Sequence, residues 1–472
     1  MIRTVPRTEP HPPRPAPRPS DGDRYDLYAA AAAVLLVTAA VLIGHHIQDT
    51  RHTLSVGWPP VLGSWQPHGG PGTPAALLVA VLTVAHGPAL SVRIPWRVLL
   101  PLAWATSMAW IFSLALVDGP RRGIAVRLTT RNEYLQVIDR FQDIPAALRG
   151  FTQHILIHSP DNWPAHVAGH PPAATLTFVL LDRLGLRGGA WAGVWCVSVG
   201  ATACVAVLVA IRALAGERLA RRAAPFLAVA PAAVWMGTSA DAYFAAVASW
   251  AVALLAVALT RGSLRAAAAS GLLFGLTCYL SYGLTLFAFI AAAVLFLGRH
   301  AIRERPVLIA HLLVGAAVVP IAFTLAGFDW WEGYHLLVVR YYQGAGGTRP
   351  YGYWVWANLA CTVLITGLAT AAGLRRGGAK LANGPGGALS SPDGSGARAP
   401  ADPRLAFLTA AALLALLVAD LSGMSKAETE RIWLPFAMWL LPACAFLTRH
   451  RAWLAAQVVL PLLLNHLLLT GW

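Results

Sequence analysis

Apolar residues gather in long stretches near 27–44, 74–92, 97–117, 189–211, 223–238, 241–260, 266–281, 284–298, 306–326, 353–374, 405–421, 433–447 and 452–471, with polar turns between them. A hydrocarbon core ~30 Å thick takes roughly 17–25 apolar residues in a helix. The pattern therefore predicts an all-α integral membrane protein of about 13 transmembrane helices. The weakest boundary is Ser281 to Gly283, inside a run too long for one ordinary helix. The piece from Pro171 to Leu184 is short for a span, so it is expected to enter the bilayer and return, or to lie along its surface. Re-entrant backbone needs burial in protein or a wet cavity, which places a cavity near His170.

With that piece not crossing, the basic turns all fall on one side. They are Arg93 and Arg97, then Arg212, Arg218, Arg221 and Arg222, Arg261 and Arg265, Arg299 to Arg305, Arg375 and Arg376, and Arg449 with Arg451. The positive-inside rule makes that side cytoplasmic and the plasma membrane the site. Loops 45–73, 118–188, 327–352 and 422–432, and the turn Ser239 to Asp241, then face outward. The expected organisation is a disordered cytoplasmic Pro/Arg-rich tail at 1–26, a transmembrane core at 27–374 with the outer loop 118–188, a flexible cytoplasmic loop at 375–404, and C-terminal transmembrane helices at 405–472.

Composition agrees: 57% of the 472 residues are hydrophobic and 12% charged, against about 25% charged in soluble domains. Soluble enzymes, disulfide scaffolds and disordered chains are excluded. Lys+Arg 36 against Asp+Glu 21 gives +15, but the surplus sits at the ends of apolar runs, an orientation signal and not a nucleic-acid surface. Cys196, Cys204, Cys278, Cys361 and Cys444 lie in apolar stretches without metal-ligand spacing and read as small buried hydrophobes. No P-loop, dinucleotide fingerprint, HExxH or GxSxG sequence occurs.

The outer loop 118–188 is the most informative. Tyr134, Ile138 and Phe141 recur at helical spacing, as do Leu148, Phe151 and Ile155 after Pro145, predicting two short amphipathic helices in the interface. Trp163, His166 and Gly169-His170-Pro171-Pro172 follow. With Asn132-Glu133-Tyr134-Leu135 and Arg221-Arg222, this order resembles the GT-C superfamily of polytopic glycosyltransferases, over roughly residues 97 to 240. The chain differs in two extra spans ahead of the loop and in Asn132-Glu133 where many members carry paired acids.

The resemblance implies transfer of a sugar from a polyprenyl-phosphate donor to an envelope glycan, lipid or protein on the extracytoplasmic face, with inversion. It implies contact with membrane lipids and none with nucleic acid. No cofactor is assigned; a divalent cation near the phosphate is an open option, and no metal ligands are named. Such chemistry needs a base for the acceptor hydroxyl and positive charge near the departing phosphate. Glu133 is the expected base, with Asp139 and Asp49 as alternatives. For the substrate, His170 and His166 are candidates, as are Lys426, Glu430 and Arg431 in the charged turn before Ile-Trp-Leu-Pro, where Glu428 or Glu430 would fix the guanidinium. Arg340 and Arg349 stand in the aromatic loop 327–352. Each has a plainer reading as a solvated charge, a turn cap or part of an aromatic belt. The rival class is a secondary transporter or flippase of lipid-linked sugars; against it, the spans hold few ionisable groups beyond His86, His311 and Asp420, and no internal repeat.

Overall fold

The computed structural model describes residues 21–382 and 401–471. Most of the expected tail and most of the loop 375–404 lie outside the described residues. Where those two segments are described, they are helical: α1 already begins at Asp21 and another helix continues to Ala382.

The chain forms α1 (Asp21–Arg51), strand β1 (Gly63–Trp65), α2 (Thr73–Arg93) and α3 (Trp96–Ala115). The loop 118–188 carries α4 (Ile144–Arg149), α5 (Ala165–Gly169) and α6 (Pro172–Arg183) between tighter 3-10 turns. Next come α7 (Gly188–Gly200), α8 (Thr202–Ala215), α9 (Glu217–Ala228), α10 (Ala233–Met236), α11 (Ala240–Arg261) and α12 (Leu264–Leu280). Then follow α13 (Phe287–Leu297), α14 (Arg299–Glu304), α15 (Val307–Leu325), α16 (Trp330–Gln343), α17 (Ala345–Thr348), α18 (Tyr351–Thr366) and α19 (Leu368–Ala382). The chain closes with α20 (Ala401–Leu421), α21 (Thr429–Ile432), α22 (Leu434–Leu440), α23 (His450–Leu467) and β2 (Leu468–Thr470).

The apolar runs form mostly helix, yet among the described residues seven helices are long and apolar enough to cross a membrane, or eight if one bent pair is counted as a single span. The expectation of thirteen treated each run as straight. The run 353–374 instead breaks at Gly367, whose φ of 85° ends α18, and α19 departs at 106°. A left-handed residue is open to glycine at little cost. The chain is not purely helical either: β1 pairs antiparallel with β2, Gly63 opposite Thr470.

Two sets of contacts define the ends of the bundle. At one end Asp26 receives Arg375 and Arg376, Asp23 receives Arg376 and Thr448, Asp402 receives Arg218 and Lys380, and Arg222 reaches the Leu447 carbonyl. This gathers the turns at Arg93, Arg218 to Arg222, Arg375 and Arg376, and Arg449 together. At the other end His68 meets Asp118, Asn465 bonds the Leu114 carbonyl, and Arg349 bonds the Leu54 carbonyl. Helix α6 starts beside His170, and Arg183 at its close donates to the carbonyls of Phe141 and Gln142 in the same loop. Helix α15 packs on α12 through reciprocal glycines, since a Cβ on Gly271 would drive into the Leu312 carbonyl and one on Gly315 into the Ala268 carbonyl. Small residues let helix backbones approach closely where lipid provides no hydrophobic drive.

Candidate functional site

Four polar side chains from distant parts of the chain meet at the end opposite the basic turns. Glu133 stands just before the 3-10 turn Tyr134–Phe141, His166 lies on α5, Asp241 in the first turn of α11, and Arg431 on α21. Glu133, Asp241 and Arg431 are buried. His166 Nδ1 lies 2.9 Å from Glu133 Oε1, and its Nε2 lies 3.4 Å from Arg431 Nη2. The Nη1 of Arg431 donates to Asp241. With Nδ1–H donating to the carboxylate, Nε2 is left as the acceptor toward the guanidinium, so the order carboxylate, imidazole, guanidinium, carboxylate is internally consistent. Although burial opposes its charge, Asp241 first, then Glu428 and Glu133, hold the Arg431 guanidinium above its ordinary pKa. Asp241 at a helix N-terminus is favoured by the helix dipole.

Glu133, Tyr134, Ser239, Arg431 and Arg127 line one cleft of about 10 Å³, roughly the room one water centre needs. Arg127 is held there by Asp118 at 2.8 Å; burial lowers it to about 10, which leaves it charged at neutral pH. The cleft's wall includes Thr238, with φ of 74°, and the approach to Arg431 runs through Ala427 and Glu428 at 72° and 62°. A β-branched residue in the left-handed region is an outlier costing about 1–3 kcal/mol, and such strain clusters at functional sites.

The remaining expected residues fall elsewhere. His170 is half-buried between the rings of Tyr134 and Phe244. Its Nδ1 lies 2.7 Å from the His166 carbonyl and 3.0 Å from the Tyr134 hydroxyl, and burial pushes it down to about 4. It is a neutral imidazole fixing the end of α5, not a cation for phosphate. Glu430 accepts from the Leu62 amide at 2.9 Å and is pushed up to about 7 by burial; it does not touch Arg431 through a described hydrogen bond. Glu428 reaches Arg431 at 3.8 Å and Arg349 at 3.3 Å. The guanidinium partner expected from 428 or 430 is chiefly Asp241, which sequence reading marked only as part of an outer polar turn.

Lys426 donates to the Gly346 carbonyl and lies over Tyr342. Arg340 donates to the carbonyls of Ile155 and Trp163, and Arg349 to those of Leu54 and Lys426. Both arginines are struts that satisfy loop carbonyls. Asp139 and Asp49 are exposed, and no hydrogen bond ties either to the cleft among the described residues. Among those residues, no three His, Cys, Asp or Glu side chains are grouped to hold a metal ion.

An all-α bundle with helices long and apolar enough to cross a membrane, and with an acid, imidazole and guanidinium chain at one end, is thus the class of protein the chain defines. No family model matches its sequence, and no curated protein does. Two crystal structures of the Archaeoglobus fulgidus oligosaccharyltransferase are similar to it in outline, each with a TM-score of 0.36. The complex with zinc and sulfate is 13% identical over 68% of this chain and 45% of that one. The apo form is 12% identical over 78% and 50%. The chain spans about half the length of that protein.

Proposed function

We propose that the protein is a membrane glycosyltransferase that moves a sugar from a polyprenyl-phosphate donor to a cell-envelope acceptor on the extracytoplasmic face. The observation that carries this reading is the meeting of Glu133, His166, Arg431 and Asp241 at the end of the bundle opposite the basic turns. In the proposed reaction Glu133 takes the proton of the acceptor hydroxyl as its oxygen bonds to the anomeric carbon. His166 orients that carboxylate through Nδ1. The bond from the anomeric carbon to the phosphate oxygen breaks, and Arg431 and Arg127, both lining the cleft, stabilise the charge on the leaving phosphate. A single displacement inverts the anomeric centre. Phosphate leaves without a general acid, unlike glycoside hydrolysis, which needs two carboxyls.

Reconstituted protein supplied with labelled polyprenyl-phosphate sugars tests this reading. Wild type forms a new glycosidic bond, and Glu133→Gln lowers transfer by about 10²–10⁴-fold with protein abundance unchanged. Sugar movement between compartments without any new bond, equal in both proteins, would replace the enzyme by the transporter.

A further inference from the structure

At the basic end of the bundle, far from Glu133, two cavities adjoin. The first, about 450 Å³, is an apolar groove between α2, α3 and α9, lined by Leu82, Leu90, Leu102, Ala105, Ala109 and Pro225. Leu82, Leu90 and Leu102 are exposed there, on helices long and apolar enough to span a bilayer, so the groove opens sideways toward lipid. The second, about 470 Å³, lies at its foot and is lined by Val92, Arg218, Arg221, Arg222, Thr448 and His450. Ser91 and Val92 are successive residues of α2, and Pro225 is one turn beyond Arg221 and Arg222 on α9, so the same two helices shape both cavities. Arg221 sits beside the junction, donating to the Ser91 and Ile94 carbonyls.

The charges in the lower cavity do not balance. Arg218 pairs with Asp402, and Arg221 and Arg212 share Glu217. Among the described residues Arg222 hydrogen-bonds the Leu447 carbonyl and the His450 imidazole and no carboxylate, Asp402 acting on it only from a distance, and its Nε is buried with no hydrogen-bond partner. Burial holds His450 below its ordinary pKa, so it stays uncharged beside the guanidinium. A half-buried cation that no carboxylate contacts is stabilised when an anion approaches it.

We propose that the groove and the arginine pocket at its foot hold one anionic phospholipid, its acyl chains between α2 and α3 and its phosphodiester against Arg222. The apolar groove supplies area for the chains, and the guanidinium, in contact with no carboxylate among the described residues, selects the headgroup, as basic pockets between spans do. A zwitterionic lipid of equal chain length brings a second charge that Arg222 and Arg218 repel.

Native mass spectrometry of the full chain released from detergent, titrated with phosphatidylglycerol, phosphatidylcholine of the same chains, or inorganic phosphate, tests the site. One phosphatidylglycerol is expected to stay bound, about tenfold more tightly than phosphatidylcholine, the factor a charge-assisted contact supplies. Arg222→Gln should erase that preference, while Arg222→Lys keeps most of it. Ala105→Phe, at an exposed position of the groove, should block the chains without lowering the melting temperature, and it carries the test if Arg222→Gln does not fold. Equal retention of both lipids overturns the proposal, as does binding untouched by Arg222→Gln and Ala105→Phe. Inorganic phosphate competing as well as the lipid also overturns it, reducing the place to a soluble-anion site.

Discussion

Glu430 offers a direct measure of what burial at the loop end costs. Its side chain is fully buried, Oε1 accepts from the Leu62 amide, and Oε2 has no hydrogen-bond partner among the described residues. Burial first, and then the neighbouring Glu428 charge, raise its carboxyl from 4.5 to about 7, against the Leu62 amide and Arg431, which pull the other way. That difference corresponds to about 3 kcal/mol of preference for the neutral acid inside the protein. Between pH 4.5 and 7 the folded chain keeps a proton that the unfolded chain releases, so stability falls as pH rises through this window and is flat above it. His170 works in the opposite direction. Burial lowers it from 6.5 to about 4, so stability rises with pH between those values. The two nearly cancel in the wild type, and the informative quantity is the difference between proteins.

Glu430→Gln keeps the acceptor for Leu62 and removes the titration. Thermal or denaturant unfolding in nanodiscs, followed by tryptophan fluorescence from pH 4.5 to 8, should show the variant gaining on the wild type by about 3 kcal/mol across the window. With Glu430 silent, the rise from His170 should then become visible below pH 6.5. Curves for the two proteins that stay parallel across the range would refute the claim that Glu430 is carried into the folded state as a neutral acid.

Asp241→Asn removes the charge that holds Arg431 and should cost about 3–5 kcal/mol, the range for breaking a buried pair from one side; the melting temperature reads it, and a loss within the error of a surface substitution would show the pair is solvated. Gly315→Leu should push α15 off α12 and lower stability by about 1–3 kcal/mol or more, whereas Val318→Leu on the exposed face of the same helix should be neutral; equal effects would deny the close approach at Gly315.

The sequence by itself determined that this is a membrane-embedded all-α chain and where its apolar segments lie, because lipid sets both the length and the polarity a span must have. It also placed residues 133 and 431 at one end of the bundle, since basic turns mark the other end and each span reverses direction. Tertiary structure alone decided which charges meet. Glu133, Asp241 and Arg431 come from segments separated by an intervening bundle, and a lone acid at a span's end carries no local sign of its partner. The same holds for the arginines of the aromatic loop: Arg340 and Arg349 looked as available for phosphate as Arg431, yet backbone carbonyls occupy them. Whether a guanidinium serves a ligand or a loop depends on which unsatisfied oxygen lies within reach, and hydropathy does not encode that distance.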